Sequence, residues 1–274
     1  MPPLAELFTF ALALIAAGAV AGVLAGLFGI GGGAILVPVF VQLFTLLGIG
    51  QDVAMHLALG TSLAIIVPTS IRSFLSHRKR GAVDTGLLRA WIVAVPLGVL
   101  AASVIAAYVS GRTLMLIFAT MALAMALRMF LNRESWRVAN DLPRHPALFA
   151  YGTVLGTLSG LMGIGGGVFN NIFMTLHGRS IHQAVATSSG LGVLISIPGL
   201  IGYVWAGWGE PGRPPFSTGY INWIAVALII PVTLLVAPLG VRLAHALKRR
   251  QLEIGFGIFL VLISARFFQT ALGQ

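Results

Sequence analysis

The chain has 274 residues, 58% of them hydrophobic and only 9% charged, with a net charge of +10 and no cysteine. A soluble domain carries roughly 25% charged residues, so the composition argues against an ordinary soluble protein and for a chain that crosses the bilayer several times. Disulfides and thiolate-held metal centres are excluded, and the basic residues fall in short stretches between apolar runs, as in membrane loops, which argues against a nucleic-acid partner.

The first apolar segment covers about residues 6–28. No Lys or Arg precedes it, unlike the basic start of a cleaved signal peptide, so it reads as a retained helix. Segments over about 34–49, 54–75, 90–109 and 113–131 complete a group of five. A second group follows the polar stretch NRESWRVANDLPRHP, over about 147–162, 168–178, 183–206, 220–242 and 252–270. Several runs reach the roughly 17 residues that a membrane-crossing helix needs. The second member of each group is short and reads as a half-helix or a re-entrant piece.

The two groups repeat one another. A shift of the sequence against itself superposes Gly18, Gly22, Gly26, Gly29, Gly31, Gly32 and Gly33 on Gly152, Gly156, Gly160, Gly163, Gly165, Gly166 and Gly167. HLALGTS (56–62) then answers HQAVATS (182–188), TGLL (85–88) answers TGYI (218–221), and PLGV occurs at 96–99 and 238–241. The expected organisation is a first membrane repeat over 1–138, a cytoplasmic linker over 139–146 and a second repeat over 147–274.

Charge gives the orientation. Arg78, Lys79, Arg80 and Arg89 share a loop, Arg133, Arg137 and Arg144 lie in or beside the linker, and Lys248, Arg249 and Arg250 cluster near the last segment. By the excess of Lys and Arg on the cytoplasmic side these regions face inward. The second-half counterpart of the first loop, GWGEPGRPPFSTG, holds one Arg and one Glu and is expected outside. Corresponding loops then face opposite sides. The fold expected is an all-α polytopic membrane protein of two inverted-topology repeats of about five apolar segments each, with helices broken at the glycine clusters and both termini outside. Inverted repeats recur among secondary transporters.

The glycines serve two expected purposes. The ladders Gly18/Gly22/Gly26 and Gly152/Gly156/Gly160 place small residues on one helix face, for close packing inside the chain or in a homodimer. The runs Gly31, Gly32, Gly33 and Gly165, Gly166, Gly167 lie on no single face and read as helix breaks. Gly29, Gly31 and Ala34 also fit a dinucleotide-binding pattern, but no soluble strand precedes them. A break inside the membrane is tolerated where it is buried in protein or lines a cavity, and the helix that restarts offers free N–H groups to an anion.

Other polar groups at membrane depth complete the candidate substrate site: Thr61 and Ser62, their counterparts Thr187 and Ser188, and Asn170 and Asn171 directly after the second glycine run. His56 and His182 coincide in the repeat and are candidates for proton coupling. Arg72, one turn before a basic loop, is a candidate for anion attraction or for snorkelling to the interface. All seven acidic residues lie in loops or near segment ends, which disfavours a cation substrate, since cation and proton pumps commonly place a carboxylate at depth. Ser159, in GTLSG, lacks the glycine pattern of a serine intramembrane protease, and no metal or catalytic set is read from the chain.

GLFGIGGGAILVPVF (26–40) and GLMGIGGGVFNNIFM (160–174), each followed by an Ala-x-x-Thr-Ser or similar segment, resemble the TauE/SafE sulfite exporter family over nearly the whole chain. The resemblance implies a bacterial inner-membrane permease, without cofactor, that moves sulfite, organosulfonates or related small anions. The first copy has Leu36 and Val37 where the second has Asn170 and Asn171, so the expected site is asymmetric. A channel-like anion pathway and a non-transporting structural protein are the alternatives.

Overall fold

A computed structural model describes residues 12, 14–23, 33–131, 137–246 and 249–273, with residues 237, 238, 241, 242, 244–246 and 249 described by backbone alone. The helices are α1 (Leu14–Val23), α2 (Gly33–Leu46), α3 (Gln51–Lys79), α4 (Thr85–Ala90), α5 (Ala94–Tyr108) and α6 (Gly111–Phe130), then α7 (Ala147–Met162), α8 (Gly167–Leu176), α9 (Ile181–Ala206), α10 (Trp223–Ala246) and α11 (Arg249–Leu272). One antiparallel hairpin, β1 (Ser217–Thr218) with β2 (Ile221–Asn222), precedes α10.

Local chemistry explains several boundaries. Ser110 and Ser180 accept the N–H of Thr113 and Gln183, so α6 and α9 start with hydroxyl caps. Asp84 Oδ1 accepts Leu87 N–H and opens α4, and Asn222 Oδ1 accepts Ala225 N–H and opens α10. At the far end of α6, the Arg250 guanidinium of α11 donates to Met129 O and Phe130 O, carbonyls that the helix itself leaves unpaired.

Among the described residues, α3, α6, α9 and most of α11 are long and apolar enough to cross a membrane. Burial separates them. In its most apolar window α3 is 78% buried, against 39% for α6 and 33% for α11, which places α3 centrally and the other two at the periphery. α3 packs along α9, α5 along α7, and α6 along α11, while α2 lies on α3 and α8 on α9. At about 1.5 Å per residue, the ten residues of α8 span roughly 15 Å, half of a hydrocarbon core of about 30 Å. The exposed apolar side chains of the peripheral helices, such as Leu127 on α6 and Leu262 on α11, suit contact with lipid.

At their described residues both glycine ladders are occupied within the chain. A Cβ on Gly22 would fall 2.9 Å from Thr233 Cα of α10, and one on Gly156 would collide with the Val95 carbonyl of α5. These faces are thus closed by α10 and α5 and are not free for a second copy. Gly26 lies outside the described residues.

Candidate functional site

α7 ends at Met162 because the backbone turns left-handed at Gly163, with φ of +62°. Gly163 N–H donates to Gly160 O and Ile164 N–H to Ser159 O, at 3.2 and 3.0 Å. This is the paired Schellman closure that satisfies the last carbonyls of a helix. Gly166 is left-handed again, at φ +72°, and α8 starts at the next residue. Only glycine takes such a conformation at little cost.

The start of α8 is open. Its first backbone bond runs from Asn170 N–H to Gly166 O, at 2.9 Å, and no side chain caps the turn. The N–H groups of Gly166, Gly167, Val168 and Phe169 are therefore unused by the helix. Gly163 through Gly166 are buried, and so is Val168. A buried helix start without caps concentrates positive partial charge where water does not screen it.

Five helices converge on this junction. Ser62 of α3 donates to Gly163 O at 2.8 Å. Gly33, at the start of α2, lies so close that a Cβ there would fall 2.7 Å from both Gly163 O and Ile164 Cα. A Cβ on Gly165 would meet Ile66 of α3 at 3.2 Å and Gly192 of α9 at 3.7 Å. Gly31 and Gly32 of the first glycine run lie outside the described residues.

Asn170, Ser188 and Asn171 form a one-way relay between α8 and α9. Asn170 Nδ2 donates to Ser188 Oγ at 2.8 Å and to Ala184 O at 3.3 Å, and Ser188 Oγ donates to Asn171 Oδ1 at 2.9 Å. The relay leaves Asn170 Oδ1 fully buried with no partner. It also leaves the Asn171 N–H groups with no acceptor among the described residues. Ser159 Oγ of α7 and Ser196 Oγ of α9 are buried without partners too. A buried unmade hydrogen bond costs about 1–3 kcal/mol, and such atoms mark a place where the protein is not organised for its own packing alone. Ser159, Asn170 and Ser196 belong to α7, α8 and α9, three of the five helices that meet at the junction. Sequence reasoning missed Ser196 and considered Ser159 only as a nucleophile; a hydroxyl deep within an apolar segment was the available signal.

The two threonines have other work. Thr61 Oγ1 accepts the N–H of Asn222 at 3.1 Å, and Thr187 Oγ1 accepts the N–H of Asp84 at 2.9 Å. Each holds the backbone of a residue whose side chain opens a helix. Both hydroxyls are fully buried, and neither is brought to the Asn170–Ser188–Asn171 relay by any bond described.

The histidine pair is unequal. His56 is buried, with Nδ1 at 2.6 Å from Asp52 O, Nε2 at 2.9 Å from Ala106 O, and its ring 4.6 Å from that of Tyr220. His182 is exposed, and so is Arg72. Among the described residues no group of three or more His, Asp or Glu side chains is placed to hold a metal ion.

The model of the family described as sulfite exporter TauE/SafE matches residues 14–267. The chain belongs to the TauE/SafE family. A probable membrane transporter protein of Haemophilus influenzae is 34% identical over 262 residues, covering 96% of this chain and 99% of its own. A probable membrane transporter protein of Methanocaldococcus jannaschii is 29% identical over 251 residues, covering 88% and 89%. Bacillus subtilis has one 27% identical over 92% of this chain and 95% of its own. No solved structure matches the chain. With its apolar helices, this TauE/SafE chain is a multi-pass membrane transporter.

Proposed function

We propose that the chain exports small sulfur-containing anions, sulfite or organosulfonates, by alternating access between two inverted halves. The anion is held at the first turn of α8. The observation that carries this reading is the buried, uncapped start of α8, with four N–H groups free of the helix, beside the Asn171 Nδ2, which has no acceptor among the described residues. Donors of this kind favour an anion without presenting a full charge that would hold it too tightly. The name of the matched family supports sulfite as the first substrate to test.

The inverted repeat draws support from paired contacts. The ladder of α1 lies on α10 and that of α7 on α5, so each half lends its glycine helix to the other. The threonine tethers pair in the same way across the halves. Gly165, Gly166, Gly167 and Asn171 are assigned to the anion, Ser188 to orienting Asn171, and Ser62 to fixing the junction. Thr61 and Thr187 are assigned to the tethers. With negative potential inside, an anion leaving the cell gains about 2.3 kcal/mol per charge per 100 mV, so export needs no coupling ion.

The test is counterflow in proteoliposomes loaded with labelled sulfite or a simple sulfonate. Saturable efflux, accelerated by a negative interior and by unlabelled anion outside, is the expected result. Flux without counterflow would make the protein a channel. Flux that requires a pH gradient would bring in His56, and no flux of any anion would defeat the reading.

A further inference from the structure

The relay that joins α8 to α9 leaves over both a donor and an acceptor, and the acceptor is the informative one. An anion has no use for a bare oxygen beside it, yet Asn170 Oδ1 is fully buried and unpartnered next to the turn assigned to the anion. The atom is an oxygen and not a misassigned nitrogen, because its sister Nδ2 faces the carbonyl of Ala184, which only a donor can satisfy.

Asn170 closes the first bond of α8, and a helical side chain leans back over the turn that precedes it. Nδ2 is turned toward Met174, one turn further on, and toward α9. With Nδ2 so engaged, Oδ1 is the arm of the amide that no protein group takes.

We infer that the ligand of this site is an anion that also carries an O–H group, which donates to Asn170 Oδ1 while the charged end takes the N–H groups of α8 and Asn171. The inference rests on the anion-carrier reading above. Two sources supply this chemistry: a protonated oxyanion such as hydrogensulfite, or an alkanesulfonate with a hydroxyl near its charged group. Either completes the hydrogen bonding of a relay that has one open donor end and one open acceptor end.

The experiment is counterflow of the full-length protein in liposomes with matched probes. One arm compares 2-hydroxyethanesulfonate with ethanesulfonate. The other follows sulfite at a pH where it is mostly hydrogensulfite and at one where it is mostly the dianion. The expected result is a preference of about tenfold for the hydroxyl-bearing member in at least one arm, the size of a single well-made hydrogen bond. A preference in the first arm identifies a hydroxyalkanesulfonate, and one in the second a protonated oxyanion. Asn170→Leu should bring the ratio between the paired probes to about one, whatever it does to the overall exchange rate, because the ratio and not the rate is read. If that variant does not fold, the wild-type ratio still decides. Equal exchange of both members in both arms overturns the inference and leaves the anion carrier standing. Absence of any anion exchange defeats the carrier reading and the inference with it.

Discussion

α2 and α8 begin from the same glycine pattern and are put to different use. α2 continues as Ala34, Ile35, Leu36 and Val37, all buried and all apolar, and its first residue rests against the backbone of the α7–α8 junction. α8 continues through Val168 and Phe169 to Asn170 and Asn171, and reaches across to Ser188. In the proposed site one copy supplies a wall and the other the polar lining. On the proposed reading a doubled motif does not imply a doubled site: the residues that follow the glycines decide which copy meets the ligand.

The comparison breaks first at Gly33. Leucine there would drive a side chain into the backbone of Gly163 and Ile164, where no rotamer gives relief. Overpacking of a tight core costs about 1–3 kcal/mol and occasionally more. Gly33→Leu is expected at the upper end, read as loss of monodisperse protein and a collapsed thermal midpoint in detergent. An unchanged midpoint would remove the wall from the account.

Exchanging the polar residues between copies sharpens the contrast. Asn171→Leu should lower anion counterflow about tenfold or more, with little change in melting, because its side chain is only partly buried. Val37→Asn should do the reverse. It buries an amide at a fully enclosed position, at a cost of about 1–3 kcal/mol in stability. Equal effects of both variants on transport would count against a one-sided site.

The tethers form a subtler pair. Thr61→Val strands the N–H of Asn222, a fully buried residue, and should cost about 1–3 kcal/mol in unfolding. Thr187→Val strands the N–H of Asp84, which is partly exposed. Water can replace the lost partner there, so the expected cost is about 1 kcal/mol or less. Denaturation of the two variants side by side gives the order, and a reversed order would refute it. Smallest is Asp141→Ala, which removes a 3.4 Å pair with Arg179 whose Asp side chain is 87% exposed. A surface pair of this kind contributes about 0–1 kcal/mol, so melting should shift by at most a degree or two.

Much of this was legible in the sequence where hydropathy carries the signal. The short second segments, expected at 34–49 and 168–178, are α2 and α8. The six-residue α4 and the hairpin were not, because elements so short have no period to detect and depend on caps such as Asp84. Asn170, Asn171 and Ser188 stood out by residue type, but their relay did not. Its direction is set by Ala184 O, a backbone atom that no residue pattern reports. Thr61 and Thr187 were visible as a repeat but their bonds were not, since their partners lie 161 and 103 residues away.

The close approach at Gly33 has a mechanical side. Where side chains interlock, one helix turns against another only by lifting knobs out of holes. Backbone resting on backbone, with glycine on one side and the Gly163–Ile164 bend on the other, fixes how near two segments lie without fixing the angle between them. On the alternating-access reading the contact is in effect a bearing, set where the start of α2 meets the open end of α8, about which one half swings while the junction stays sealed.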